Sequence, residues 1–263
     1  MPIRIALAQV NSTTDLGENL AIIDTLTARA AAAGARLVAF PEATMHPFGA
    51  PLHPIAQPLD GPWARGVREI AERAGITVVA GMFTPCDDGR VHNTLLVAGE
   101  ITAHYDKIHL YDAFGYAESA TVAPGEKPLT AEIAGTTIGF ATCYDLRFPG
   151  LFQTMAAAGA TCVVVAASWG DGPGKVEQWQ LLTRARALDA TSYIAACGQA
   201  RPADRAGENS TAPLGVGHSC VVAPDGKVLA ALGPDPDLLI TDIDPETVAP
   251  LRQTLPVLVN RRY

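Results

Sequence analysis

Basic residues are scarce in this chain. Nineteen lysines and arginines stand against twenty-seven aspartates and glutamates, giving a formal net charge of −8 over 263 residues. Phosphate binding needs a basic face, so nucleic acid is not an expected partner. The arginines near the end, Arg252, Arg261 and Arg262, are too few to alter that balance. Long apolar runs are lacking as well. No stretch approaches the roughly 18–20 residues a membrane helix requires, so no membrane partner is expected. The apolar start of the chain is too short for a signal peptide and reads as a first strand. Cysteines number five (Cys86, Cys143, Cys162, Cys197, Cys220), widely scattered and with no Cys-x-x-Cys pair. That spacing argues against a disulfide framework and a zinc site, and fits a cytoplasmic protein with free thiols. Cys162, Cys197 and Cys220 lie inside apolar runs and read as small core residues. No Gly-x-Ser-x-Gly elbow is present, which disfavours a serine hydrolase. Gly172-Pro173-Gly174-Lys175 fails as a phosphate loop: Val176 occupies the Ser/Thr position and Trp169 the first glycine.

What the chain does contain is an alternation of strand and helix patterns. Strands are expected at Ile3–Gln9, Arg36–Phe40, Ile76–Met82, Val91–Ala98 and Ile101–Tyr105. Others are expected at Leu129–Ile133, Thr137–Ala141, Thr161–Ala167 and Tyr193–Cys197. Helices are expected over Leu16–Ala33, Trp63–Ala74, Gly150–Ala158 and Val176–Asp189, the first two closed by Gly34 and Gly75. The end turns β-rich (His218–Ala223, Lys227–Leu232, Leu238–Ile243) around the Pro224-Asp225-Gly226 turn. A polar and aromatic loop spans Ile108 to Gly125. Continuous apolar strands imply an α/β fold with sheets covered on both faces. The length, and the absence of repeats, suit one domain over residues 1–263.

Three strand-like runs end in a reactive side chain. Thr137–Ala141 leads to Cys143, Leu37–Phe40 to Glu42, and Ala103–Tyr105 to Lys107. A free thiol titrates near pH 8.5 (about that value in model compounds), so Cys143 needs a neighbouring base or cation to attack. Lys107 can supply a cation and, with the Tyr144 N–H, stabilise an oxyanion. Glu42 can shuttle the proton. Each residue also has a plainer reading. Cys143 suits a packed core position, Glu42 and Lys107 solvated loop ends, and Arg147 a salt bridge with Asp145. His218 raises a Cys–His pairing, although a buried structural histidine fits its surroundings better. His104 and His109 flank Lys107 without a metal-ligand pattern, and no metal or cofactor is expected. Arg184, Arg186 and Asp189 read as a helix surface or a dimer contact.

The set Phe40-Pro41-Glu42, Tyr105-Asp106-Lys107-Ile108-His109-Leu110 and Thr142-Cys143-Tyr144-Asp145-Leu146-Arg147-Phe148-Pro149 resembles the nitrilase superfamily of carbon–nitrogen hydrolases. Glu118-Ser119, Pro124-Gly125, Gly217-His218-Ser219 and Leu255-Pro256-Val257 extend the resemblance over nearly the whole chain. It implies an αββα sandwich and a homodimer. It also implies Glu42 as general base, Lys107 as oxyanion-stabilising cation, Cys143 as nucleophile and Glu118 as the second glutamate. Tyr-Asp after the cysteine resembles the Nit1/Nit2-type amidases rather than true nitrilases. By that likeness the substrate is a small amide bearing a carboxylate, an ω-amide of an α-keto acid or deaminated glutathione, with Tyr144, Arg147 and Trp169 around it. An N-carbamoyl amide or nitrile hydrolase, and a catalytically idle scaffold, are the competing expectations.

Overall fold

The computed structural model describes residues 1–202 and 212–262. In chain order the first half runs β1 (Ile3–Gln9), α1 (Leu16–Ala32), β2 (Leu37–Ala39), α2 (Pro62–Ala74), β3 (Thr77–Pro85), β4 (Val91–Ala98) and β5 (Thr102–Asp106). Three two-residue strands follow: β6 (Asp112–Ala113), β7 (Tyr116–Ala117) and β8 (Val122–Ala123). Then come β9 (Leu129–Ile133), β10 (Thr136–Thr142), α3 (Pro149–Ala157), β11 (Cys162–Ala167), α4 (Lys175–Ala190) and β12 (Tyr193–Gly198). The chain closes with β13 (Cys220–Val222), β14 (Val228–Ala231), β15 (Asp237–Ile243), α5 (Val248–Thr254) and α6 (Val257–Asn260).

One sheet has the order β15-β1-β2-β3-β4-β5, with β8 beside β4; the other has the order β14-β13-β12-β11-β10-β9. At the centre of each lie three parallel strands, β1-β2-β3 and β10-β11-β12. Strand alternation explains how the layers stack, because successive side chains point to opposite faces. Ile3, Ile5 and Leu7 of β1 enter a core shared with Phe140, Val164 and Ala195 of the other sheet. Ala6 and Ala8 face the opposite way, onto Ile23 of α1 and Trp63 and Val67 of α2. Val163 and Val165 of β11 turn outward onto Phe152 of α3 and Trp179 of α4. The result is helices, sheet, sheet, helices: the αββα sandwich expected from the sequence. Fully burying an Ile or Leu side chain stabilises the fold by about 1.5–3 kcal/mol, so polar insertions on either strand face are costly.

The helix ends follow local chemistry. Asp15 caps α1 by accepting the Gly17 and Glu18 N–H groups at 2.7 and 3.0 Å. Two sequence expectations need correction. The polar segment Ile108–Gly125 is not wholly loop, since it holds the β6–β7 hairpin, a 3-10 turn at Glu118–Ala120 and β8. These pieces are too short for a periodicity to register. The strand expected at His218–Ala223 shrinks to Cys220–Val222 because His218 takes a left-handed backbone (φ 58°) that breaks the ladder. Among the described residues no helix is long and apolar enough to cross a membrane.

Candidate active site

The carboxyl ends of the parallel strands converge where α/β sheets commonly form their sites. Glu42 follows β2, Lys107 follows β5, Cys143 follows β10, and Ser168 follows β11. The backbone under each is fixed. Gly81 donates its N–H to the Pro41 carbonyl at 3.2 Å, and a Cβ on Gly81 would lie 2.5 Å from the Ala43 nitrogen. Only glycine lets the Glu42 turn rest on β3. Lys107 donates its backbone N–H to Asn93 at 2.9 Å and accepts one from Gly125 at 2.8 Å. Cys143 opens a 3-10 turn, Cys143–Arg147, with a left-handed φ of 47°. The Asp145 carboxylate holds that turn by accepting the Thr142 N–H at 2.8 Å. A helical start leaves its first N–H groups without intrahelical acceptors, and Tyr144 follows the thiol within that first turn.

Glu42, Lys107 and Glu118 form a buried cluster. The Lys107 ammonium lies 2.9 Å from Glu42 Oε1 and 2.7 Å from Glu118 Oε2, with all three side chains about 1% exposed or less. Asn93 on β4 donates Nδ2 to both carboxylates, at 2.7 Å to Glu42 and 2.9 Å to Glu118. Glu42 Oε2 accepts the Ser168 N–H at 2.7 Å, and Glu118 Oε2 accepts the Tyr111 N–H at 2.7 Å. Cys143 Sγ donates to the Ser168 carbonyl at 3.7 Å. The carboxylates are therefore anchored by donors from three separate segments: β4, the stretch after β5 and the end of β11.

The electrostatics of the cluster decide how the thiol can be used. Burial raises the Glu42 pKa above the ordinary carboxylate value; Lys107 opposes this and Glu118 adds to it. Burial works against the Lys107 charge, but the Glu118 and Glu42 carboxylates hold the ammonium protonated well past its ordinary range. Burial, and next the Glu42 charge, push the Cys143 thiol well up, against the pull of Lys107. Two carboxylates outweigh one ammonium. The sequence suggests Lys107 as a cation that acidifies the thiol; the packed cluster makes the resting group a neutral thiol instead. Such a site suits transfer of the thiol proton to a carboxylate of raised proton affinity during attack.

Above the thiol, Tyr111, Tyr144, Arg147, Trp169 and Lys175 line a small pocket. The Arg147 guanidinium lies 5.1 Å from the Trp169 ring and 5.8 Å from that of Tyr144. Its Nη2 donates to Gln178 Oε1 at 2.7 Å, while its Nε is buried without a partner among the described residues. The alternative Arg147–Asp145 salt bridge does not form. Asp145 instead meets the Tyr105 hydroxyl, the His109 backbone and the His109 ring at 2.7 to 3.0 Å. Of the sequence-derived candidates, Cys143, Tyr144, Arg147 and Trp169 line this pocket, while Glu42, Lys107 and Glu118 form the buried cluster bonded to one another. No imidazole bonds the thiol among the described residues, and His109 stacks on Phe148 instead. Arg186, read from the sequence as a helix surface or a dimer contact, is buried and paired with Asp189 at 2.9 Å. Sequence reasoning passed over Asn93, Ser168, Tyr111 and Lys175. Only Lys175 carried a signal, as the lysine of a discarded phosphate loop.

With this geometry in place, the comparisons with known proteins are direct. The carbon-nitrogen hydrolase family model matches residues 4–253, and the chain belongs to that family. It is accordingly a hydrolase acting on carbon–nitrogen bonds other than peptide bonds. A Mycobacterium tuberculosis hydrolase is 55% identical, covering 98% of this chain and 95% of the relative. The Escherichia coli deaminated glutathione amidase is 36% identical, over 98% of this chain and 97% of that enzyme. Among solved structures, Saccharomyces cerevisiae Nit3, from branch 10 of the nitrilase superfamily, superposes with a TM-score of 0.86 at 27% identity. The match covers 100% of this chain and 97% of Nit3.

Proposed function

We propose that the protein is an amidase that hydrolyses the terminal amide of a small carboxylate-bearing molecule through a thioester on Cys143. The observation that carries this reading is the buried Glu42–Lys107–Glu118 cluster together with the Cys143 turn that lines the adjoining pocket. In the first step Glu42 takes the Sγ proton as sulfur bonds to the amide carbon. The Lys107 ammonium and the Tyr144 N–H hold the resulting oxyanion. Collapse breaks the C–N bond, and Glu42 returns the proton to the departing ammonia. Water then loses a proton to Glu42 as it attacks the thioester. The carboxylic acid leaves and the thiol is restored. Glu118 and Asn93 orient Lys107 and Glu42 throughout.

Arg147, held between two aromatic rings with an unpartnered Nε, supports a carboxylate at the far end of the substrate, because a guanidinium binds that group bidentately. The relative named deaminated glutathione amidase supports the same class of acyl group. The two sheets share one core, which supports reading the chain as a single catalytic unit. Five unpaired cysteines support a cytoplasmic setting. Leu181 on α4, 67% exposed, and Leu188 nearby support pairing of two chains along that helix. The direct test is Cys143→Ala, which should abolish ammonia release from ω-amides such as α-ketoglutaramate while far-ultraviolet circular dichroism stays unchanged. Undiminished turnover by the variant sinks the reading.

A further inference from the structure

We infer that Lys175 is a second anion-binding group of the pocket and a determinant of substrate specificity, selecting amides with a negatively charged far end. The inference rests on the amidase reading and names a residue that reading does not use. Lys175 opens α4 and lines the same pocket as Cys143 and Arg147. It is 8% exposed, yet its ammonium has no hydrogen bond or ion pair with any described residue. Its nearest described polar relation is a ring face: Nζ lies 3.4 Å above the Phe114 centroid and 5.8 Å from that of Tyr111.

The Lys175 ammonium has no fixed counter-charge, and a cation–π contact at a partly open site is worth only about 0.5–1 kcal/mol. Burial and the neighbouring Arg147 both weaken the Lys175 charge, while the Cys143 side favours it. No acid stands among the residues lining this pocket: Asp171 turns away to bond Arg201 at 2.8 Å. Two cations lining one pocket, neither paired with an acid, leave a net positive lining above the thiol. A carboxylate supplied by the substrate satisfies both. The amide end is then directed down to Cys143, and a neutral amide forfeits the contribution of both cations. The plainer role for Lys175 is to pin the β6–β7 hairpin through Phe114, and that role does not depend on the charge of the substrate.

The test separates the two roles. Succinamate and butyramide share a chain length and differ in the terminal carboxylate. The ratio of their kcat/KM values is measured for the wild type, Lys175→Met and Lys175→Arg. Loss of one charged contact should lower the succinamate-to-butyramide ratio by about tenfold or more in Lys175→Met, with Lys175→Arg restoring most of it. Equal losses on both amides, or an unchanged ratio, overturn the inference. Calorimetric titration of succinate into Cys143→Ala protein, with and without Lys175→Met, reads the same site without turnover. Weaker succinate binding by about tenfold upholds the inference even where neither amide is hydrolysed, and equal binding overturns it. Failure of the amidase reading shows separately, as ammonia release that does not depend on Cys143.

Discussion

Tyr105 and Asp145 join the two halves of the site through one buried hydrogen bond, the phenol donating to Asp145 Oδ2 at 2.7 Å. Tyr105 lies two residues before Lys107 and Asp145 two residues after Cys143. The same carboxylate clamps the Cys143 turn through the Thr142 N–H at 2.8 Å. Burial, then the Asp145 charge, keeps the phenol protonated far beyond its ordinary range, so it remains a donor at every working pH. Tyr105→Phe should cost about 1–3 kcal/mol, as expected for one buried acceptor that loses a partner. Asp145→Ala strands several buried donors at once and should cost more. Thermal denaturation of the two variants checks that order, and equal melting temperatures contradict it.

The pH profile should be displaced upward on its acid side. Glu42 must be ionised to take the thiol proton, and burial raises its pKa above the ordinary carboxylate value. Activity therefore falls as pH drops through that raised value, at a higher pH than a solvated glutamate would give. The alkaline side should stay flat through pH values near 9 (about where a free thiol titrates), because Lys107 remains charged and Cys143 neutral past their ordinary values. A kcat/KM profile measured across the acid and alkaline ranges checks both limbs.

Asn93 should tolerate no charge. Its Nδ2 bridges Glu42 and Glu118 at 2.7 and 2.9 Å. Asn93→Asp would bury a third carboxylate against these two, costing about 3–5 kcal/mol on the scale of an uncompensated buried charge. Asn93→Ala removes only the bridge and should lower kcat more than it changes KM. Urea denaturation and steady-state kinetics on the pair read the two effects separately.

Gly125 should be irreplaceable. A Cβ there would overlap the Asp106 carbonyl next to Lys107, and the atoms it meets first are backbone that cannot swing aside. Gly125→Ala must shift the segment that carries the lysine. We expect about 1–3 kcal/mol of destabilisation, the usual cost of overpacking, together with a loss of kcat out of proportion to the stability change. Parallel melting and activity measurements on the variant check this.

The legibility of this molecule in its sequence follows from the range of its interactions. Glu42, Lys107 and Cys143 could be read because each follows a strand-like run and the three local motifs resemble those of one family. The continuous apolar strands showed an α/β fold with covered sheets, and the four layers followed from the family resemblance. Asn93 was hidden because one polar residue inside a strand gives no hint that carboxylates 51 and 25 positions away will meet it. Asp145 looked like a partner for Arg147, two residues on, yet it bonds Tyr105, 40 residues away. Lys175 was visible only as part of a motif that failed. The neutral state of the thiol was invisible too, because burial and the placement of two glutamates set it, not the residue types alone.

The central claim is that Cys143 carries the acyl group. Rapid acid quenching of the protein with a short ω-amide, followed by intact-mass spectrometry and peptide mapping, tests it most directly. The account predicts a mass gain equal to the amide minus one ammonia, located on the Cys143 peptide and absent from Cys143→Ala. An acyl adduct on another residue such as Cys86, or ammonia release that persists in Cys143→Ala, would contradict it.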